Sequence, residues 1–125
     1  MANQKKILVV DDDRDILESI TLILESEGYR VRAVESGEEC LDVLGSEKPD
    51  LVILDNMLET IMAGLNVCLQ IRSRPDFLSI PIVMISSIEK HTGLYIDKDY
   101  LPIEAFLEKP FQPSALLDIV GSLLS

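Results

Sequence analysis

Lys6-Ile7-Leu8-Val9-Val10-Asp11-Asp12-Asp13 is an apolar run that stops abruptly on three carboxylates. Three more runs end in the same manner. Leu51-Val52-Ile53-Leu54 leads into Asp55, Ile82-Val83-Met84-Ile85 into Ser86-Ser87, and Ala105-Phe106-Leu107 through Glu108 to Lys109-Pro110. Short continuous runs rich in Val and Ile read as strands buried on both faces, the pattern of a parallel sheet. Parallel strands share one C-terminal edge. Carboxylates, a hydroxyl and a lysine from distant parts of the chain are then expected to converge there.

Between these runs the period lengthens to that of helices. Ile16, Leu17, Ile20, Ile23 and Leu24 fall on one stripe, and Gly28 stands at a helix C-terminal position. Tyr29 to Val34 alternates as a more exposed strand does. Ser36-Gly37-Glu38-Glu39 opens a second helix as a capping box, expected to run to about Leu44 and stop at Gly45. Leu65, Val67, Cys68 and Ile71 mark a third helix that closes before Pro75. Pro113 opens the last one, with Leu116, Leu117, Ile119, Val120 and Leu124 as its apolar residues. Strands alternating with helices predict an α/β fold, a doubly wound five-stranded parallel sheet with helices on both faces. Ligands of such sheets sit beyond the carboxyl ends of the strands. Only Ile88 to Glu104 lacks a sustained helical stripe, so a short or irregular helix or a loop is expected there.

Size and charge narrow the function. A chain of 125 residues is one domain, here residues 1–125, able to bury roughly two-thirds of its unfolded surface. No apolar stretch approaches the ~18 residues of a membrane span, and the N-terminus does not read as a secretory signal, which points to the cytoplasm. The net charge of -11 argues against direct binding to nucleic acid or anionic membrane. Cys40 and Cys68 lack metal-ligand spacing and read as small buried apolar residues in a reducing compartment.

The strand-end residues suit phosphoryl transfer. A carboxylate can attack an activated phosphoryl group, and the remaining task is positioning and charge neutralisation. Asp11, Asp12 and Asp55 suit Mg2+, which takes oxygen ligands. Lys109 adds a fixed cation, and the Ser86 hydroxyl can donate to a phosphoryl oxygen. Singly, each residue has a plainer reading. Asp13 and Asp15 read first as helix N-caps, Ser86 as a structural hydroxyl, and Lys109 as a solvated charge.

These motifs together resemble the receiver domain of two-component response regulators, of the chemotaxis-regulator type. The likeness runs from Lys6 to Leu124 through Ile-Leu-Val-Val-Asp-Asp-Asp, Asp-Leu-Val-Ile-Leu-Asp, Pro-Ile-Val-Met-Ile-Ser-Ser and Phe-Leu-Glu-Lys-Pro-Phe. The resemblance implies a flavodoxin-like strand order 2-1-3-4-5. It implies that Asp55 accepts a phosphoryl group from a histidine of a sensor kinase or phosphotransfer protein. Asp11 and Asp12 would hold Mg2+, Asp12 more directly, with Asp55 and the Met57 carbonyl. Ser86 and Lys109 would contact the phosphoryl group, and Phe106 would be the switch aromatic, three residues before Lys109. Such a domain assists its own phosphorylation and dephosphorylation rather than turning over substrate as an enzyme. Its partner would be a downstream effector or a fused output domain, and a homodimer is possible for the family. The chain ends at Ser125, after the last helix, which fits either a stand-alone regulator or a receiver from a longer protein.

Two departures from the family are visible. Glu59 replaces the usual proline and Gly64 lies nine residues beyond Asp55, which lengthens that loop by one and brings Ile61 and Met62 beside the site. Met57 also puts an apolar side chain where many relatives have a polar one, so an altered phosphoryl lifetime is expected. The Glu89–Ile103 stretch lacks the family's usual fourth helix ending, and weak amide protection is expected from His91 to Tyr100. Rivals fit less well. A haloacid-dehalogenase-type phosphatase needs Thr or Val where Asp15 stands, an EF-hand needs Gly at Ile16, and a flavodoxin-like electron carrier would have its cofactor phosphate repelled by three aspartates.

Overall fold

The computed structural model describes residues 4–55, 63–86 and 103–124, with Ala63 and Ser86 by backbone alone. Five strands, β1 (Lys6–Val10), β2 (Arg30–Val34), β3 (Leu51–Asp55), β4 (Ile82–Ser86) and β5 (Ala105–Glu108), form one sheet. All four pairings are parallel and the order is β2-β1-β3-β4-β5. Helices α1 (Arg14–Ser26), α2 (Gly37–Glu47), α3 (Ala63–Arg72) and α4 (Pro113–Leu124) connect or follow them. The expected topology is therefore the observed one. The Ile88 to Glu104 reading falls outside the described residues up to position 102, as do the Glu59–Ala63 loop departures apart from the Ala63 backbone.

Strand alternation divides the core into two layers. Ile7, Val9, Leu51, Ile53, Val83, Ile85 and Leu107 pack beneath α1 and α4, against Leu17, Ile20, Leu24, Leu116 and Val120. Leu8, Val10, Val52, Leu54, Ile82 and Met84 face the other way, against Cys40, Leu44, Val67, Cys68 and Ile71 of α2 and α3. β1, β3 and the apolar part of β4 are buried on both faces, as their sequences predict. β5 is different. Among the described residues it is the edge strand of the sheet, and of its four residues Leu107 is the one that is buried.

Two local expectations need adjustment. α2 does not stop at Gly45 but continues to Glu47, with Lys48 at φ 46° as its C-cap. A glycine inside a helix costs only ~1 kcal/mol. Pro49 ends the helix, since the residue before a proline is disfavoured in the right-handed helical region. At the other end, Ser36 Oγ accepts the Glu39 amide as expected, but the Glu39 carboxylate accepts the Glu35 amide rather than that of Ser36. Gly28 sits just beyond α1 at φ +87°, a conformation that a side chain would strain.

Candidate functional site

The three consecutive aspartates after β1 take three different positions. The Asp11 amide bonds the Val34 carbonyl at 3.2 Å, so its backbone stays on the sheet and its side chain is buried. Its Oδ1 accepts the Asp13 amide at 2.9 Å. Asp12 turns outward to solvent. Asp13 is the N-cap of α1, its carboxylate accepting the amides of Asp15 and Ile16. Asp15 lies in the first helical turn instead, where a negative charge suits the helix dipole.

Register brings the distant residues together. Val10 pairs with Leu54, so the next residues along, Asp11 and Asp55, stand side by side at the strand ends. Both continue the alternation of Ile7-Val9 and Leu51-Ile53, on the α1/α4 face. Lys109 continues that of Ala105 and Leu107 on the same face. Its Nζ lies 3.2 Å from Asp11 Oδ2 and 3.2 Å from Asp55 Oδ2. Asp11 and Asp55 are almost wholly removed from solvent, at 1% and 4% exposure.

Burial pushes the Asp11 carboxyl above its ordinary range, and the nearby Asp55 pushes the same way. The Asp13 amide and the Lys109 ammonium oppose them without prevailing. Burial tends to lower the Lys109 pKa, but Asp55 and then Asp11 outweigh it, so the ammonium is held charged. Asp11, Asp12 and Asp55 each offer a carboxylate oxygen, and all three oxygens lie within 4.8 Å of one another. Among the described residues the cluster sets three carboxylates against one ammonium. A hard divalent cation fits both that charge and an all-oxygen donor set.

Of the residues expected at the site, Asp11, Asp12, Asp55 and Lys109 meet. Ser86 ends β4 with its backbone paired to Glu108, and nothing of its side chain is described. Met57 lies outside the described residues. Phe106 packs half-buried against the α2/α3 layer, on the face of the sheet opposite Lys109. An apolar groove of about 770 Å³ along Ile16, Ile20, Ile23, Pro110 and Phe111 reaches Lys109. A concavity of about 730 Å³ lined by Lys48, Asp50, Asp76 and Phe77 holds none of the acidic cluster. The sequence reading missed the Asp13 amide as a partner of Asp11. Its one signal was Asp13 two residues after Asp11, the spacing of an Asx turn.

Comparison with known proteins agrees with this geometry. A family model described as the response regulator receiver domain matches residues 7–121. The response regulator MprA of Mycolicibacterium vanbaalenii is 41% identical over 122 residues, covering 95% of this chain and 50% of that protein. The chain thus spans about half the length of the curated relatives it matches. Chemotaxis response regulator CheY4 of Vibrio cholerae superposes with a TM-score of 0.85 at 25% identity, covering 98% of this chain and 100% of that one. A CheY-like receiver domain from Methylobacillus flagellatus gives 0.82 at 26% identity over 97% and 99%.

Proposed function

The chain belongs to the response regulator receiver family, and from that premise we propose that Asp55 is its phosphoryl acceptor. The observation that carries this reading is the meeting of Lys109 with Asp55 and Asp11, at 3.2 Å each, on the buried carboxyl edge of the sheet. The donor is a phosphohistidine of a sensor kinase or phosphotransfer protein. An Asp55 oxygen attacks phosphorus as the P–N bond breaks. The departing ring nitrogen keeps the bonding pair, and with its other nitrogen protonated the ring leaves as neutral imidazole. The product is an aspartyl phosphate.

Lys109 supplies a fixed positive charge against the phosphoryl oxygens, in a site dry enough to strengthen that attraction. Asp11 keeps Lys109 in place from the other side and is itself oriented by the Asp13 amide. Asp11, Asp12 and Asp55, with the Met57 carbonyl, are the residues that would hold Mg2+. When bound, that ion neutralises charge on the transferring group. Ser86 then contacts the phosphoryl group and Phe106 changes its packing, which carries the signal to an effector protein, an output domain or a second copy. Spontaneous loss of the phosphoryl group, assisted by the same residues, resets the domain. We take residues 1–125 as one such unit, acting in the cytoplasm.

Incubation with acetyl phosphate and Mg2+ tests the reading. A single phosphoryl adduct is expected by intact mass, and none in Asp55→Asn. Label persisting in Asp55→Asn would reject Asp55 as acceptor. Multiple-turnover release of phosphate from phosphoesters would indicate a phosphatase instead.

A further inference from the structure

Arg72 closes α3, far from the acidic cluster, yet it holds more acceptors than any packing role needs. Its Nη1 donates to the carbonyls of Phe77 and Leu78 at 3.2 Å and of Ile80 at 2.7 Å. These carbonyls belong to the turn that feeds β4. Its Nη2 donates to Glu104 Oε1 at 2.6 Å, with the Arg72 side chain only 14% exposed. The same Glu104 oxygen accepts the Ile82 amide at 2.7 Å, and the Glu104 amide donates to the Ile82 carbonyl at 2.9 Å. Glu104 therefore brackets Ile82, engaging its N–H with a side chain and its C=O with a backbone amide.

That bracket sits where it can set register. The β4–β5 ladder begins with Val83 opposite Ala105, immediately after the bracketed pair. β5 is a four-residue strand at the edge of the described sheet, with one buried side chain. A strand this short and this weakly patterned specifies its own register poorly. Lys109 follows its last residue. A slip of one residue would move Lys109 by ~3.3 Å and turn it to the other face of the sheet. From 3.2 Å, that ends its contact with both carboxylates.

We propose that Arg72 and Glu104 are positioning residues for the phosphoryl site, pinning the start of β5 to the start of β4 so that Lys109 reaches Asp55. The pin lies roughly 17 Å from Lys109 along the strand, at five residues of ~3.3 Å. Its effect on chemistry passes entirely through Lys109. This inference rests on the reading of Asp55 as acceptor.

The experiment times acetyl phosphate labelling of the full chain with Mg2+, by intact mass. Glu104→Ala, folded by circular dichroism, should be labelled more slowly by on the order of tenfold. Glu104→Gln, which keeps an oxygen for the Ile82 amide and for Arg72, should recover most of that loss. In a Lys109→Ala background, Glu104→Ala should have no further effect, because the group it positions is gone. Where the Lys109 variant labels too slowly to time, recovery of the labelling rate by Glu104→Gln decides instead, and no recovery would overturn the proposal. Should Glu104→Ala not fold, Arg72→Lys enters the cycle in its place, one ammonium being unable to serve four acceptors. Wild-type labelling of the folded variant, or equal losses with and without Lys109, would overturn the proposal. An unlabelled wild-type chain would instead reject Asp55 as acceptor.

Discussion

Replacing Lys109 with Met removes the cation between two buried carboxylates while keeping a side chain of similar length. At 3.2 Å and an effective dielectric near 20, each of its two ion pairs is worth about 5 kcal/mol in gross attraction. Desolvation of the three groups offsets much of that sum. What the variant loses is nearer the cost of leaving buried charge without its partner, about 3–5 kcal/mol. With an unfolding entropy of roughly 2.1 cal/mol/K per residue, the melting temperature should fall by about 11–19 °C. The assay is far-UV circular dichroism at pH 7 without divalent cation.

Acid should narrow that gap. Burial first, and Asp55 next, already place the Asp11 carboxyl above its unfolded value of 3.8, and Lys109 is one of two groups holding it down. Without Lys109 it rises further. A carboxyl with a raised folded pKa favours the native state once protonated. The variant therefore gains stability as pH falls through the raised folded pKa towards 3.8, and the deficit should shrink as the pH is lowered from 7. Magnesium should narrow it as well, by supplying the missing positive charge. A variant melting within about 3 °C of wild type at pH 7 would refute the reasoning, because the carboxylates could not then be desolvated together.

Further outcomes follow from the same structure. At ten times its dissociation constant, Mg2+ should raise stability by about 1.4 kcal/mol, or ~5 °C in melting temperature. Asp12→Asn should abolish that rise without unfolding the chain, since Asp12 is exposed; an undiminished rise would remove Asp12 from the metal site. Burial pushes the Cys40 thiol up to about 12 and the Cys68 thiol to about 11, with Arg74 and Arg72 respectively opposing weakly. Neither thiol should react with a disulfide reagent at pH 8 until the protein unfolds, and fast reaction of the native chain would contradict their burial. Because the unfolded thiols ionise near 9.0, this contribution to stability is intact below that pH and is lost as pH climbs towards the folded values.

Helix and strand succession was legible because it depends on neighbours two to four residues apart. The apolar runs of β1, β3 and β4, the stripe of α1 and the Ser36 cap are all signals of that range. Where a local signal failed, a competing local constraint had won. Gly45 reads as a stop, yet Pro49 sets the end of α2. The outward side of β5 was not legible, since Ala105-Phe106-Leu107 reads as buried while its place at the sheet edge depends on the other four strands.

The sequence by itself determined which residue types stand at the strand ends, and so the chemistry available to the domain: carboxylates, a hydroxyl and a lysine. Tertiary structure decided which of them touch. Lys109 is 98 residues from Asp11 and 54 from Asp55, so no local periodicity relates them. Parallel register does, by setting Val10 opposite Leu54 and Ser86 opposite Glu108. Only the folded sheet turns Asp11 inward and leaves Asp12 outside, because the Asp11 amide is still held by β2. The Arg72–Glu104 pair belongs to the same category. Its residues look like ordinary surface charges until strand order places α3, β4 and β5 at one corner, where a fork of donors can satisfy all three.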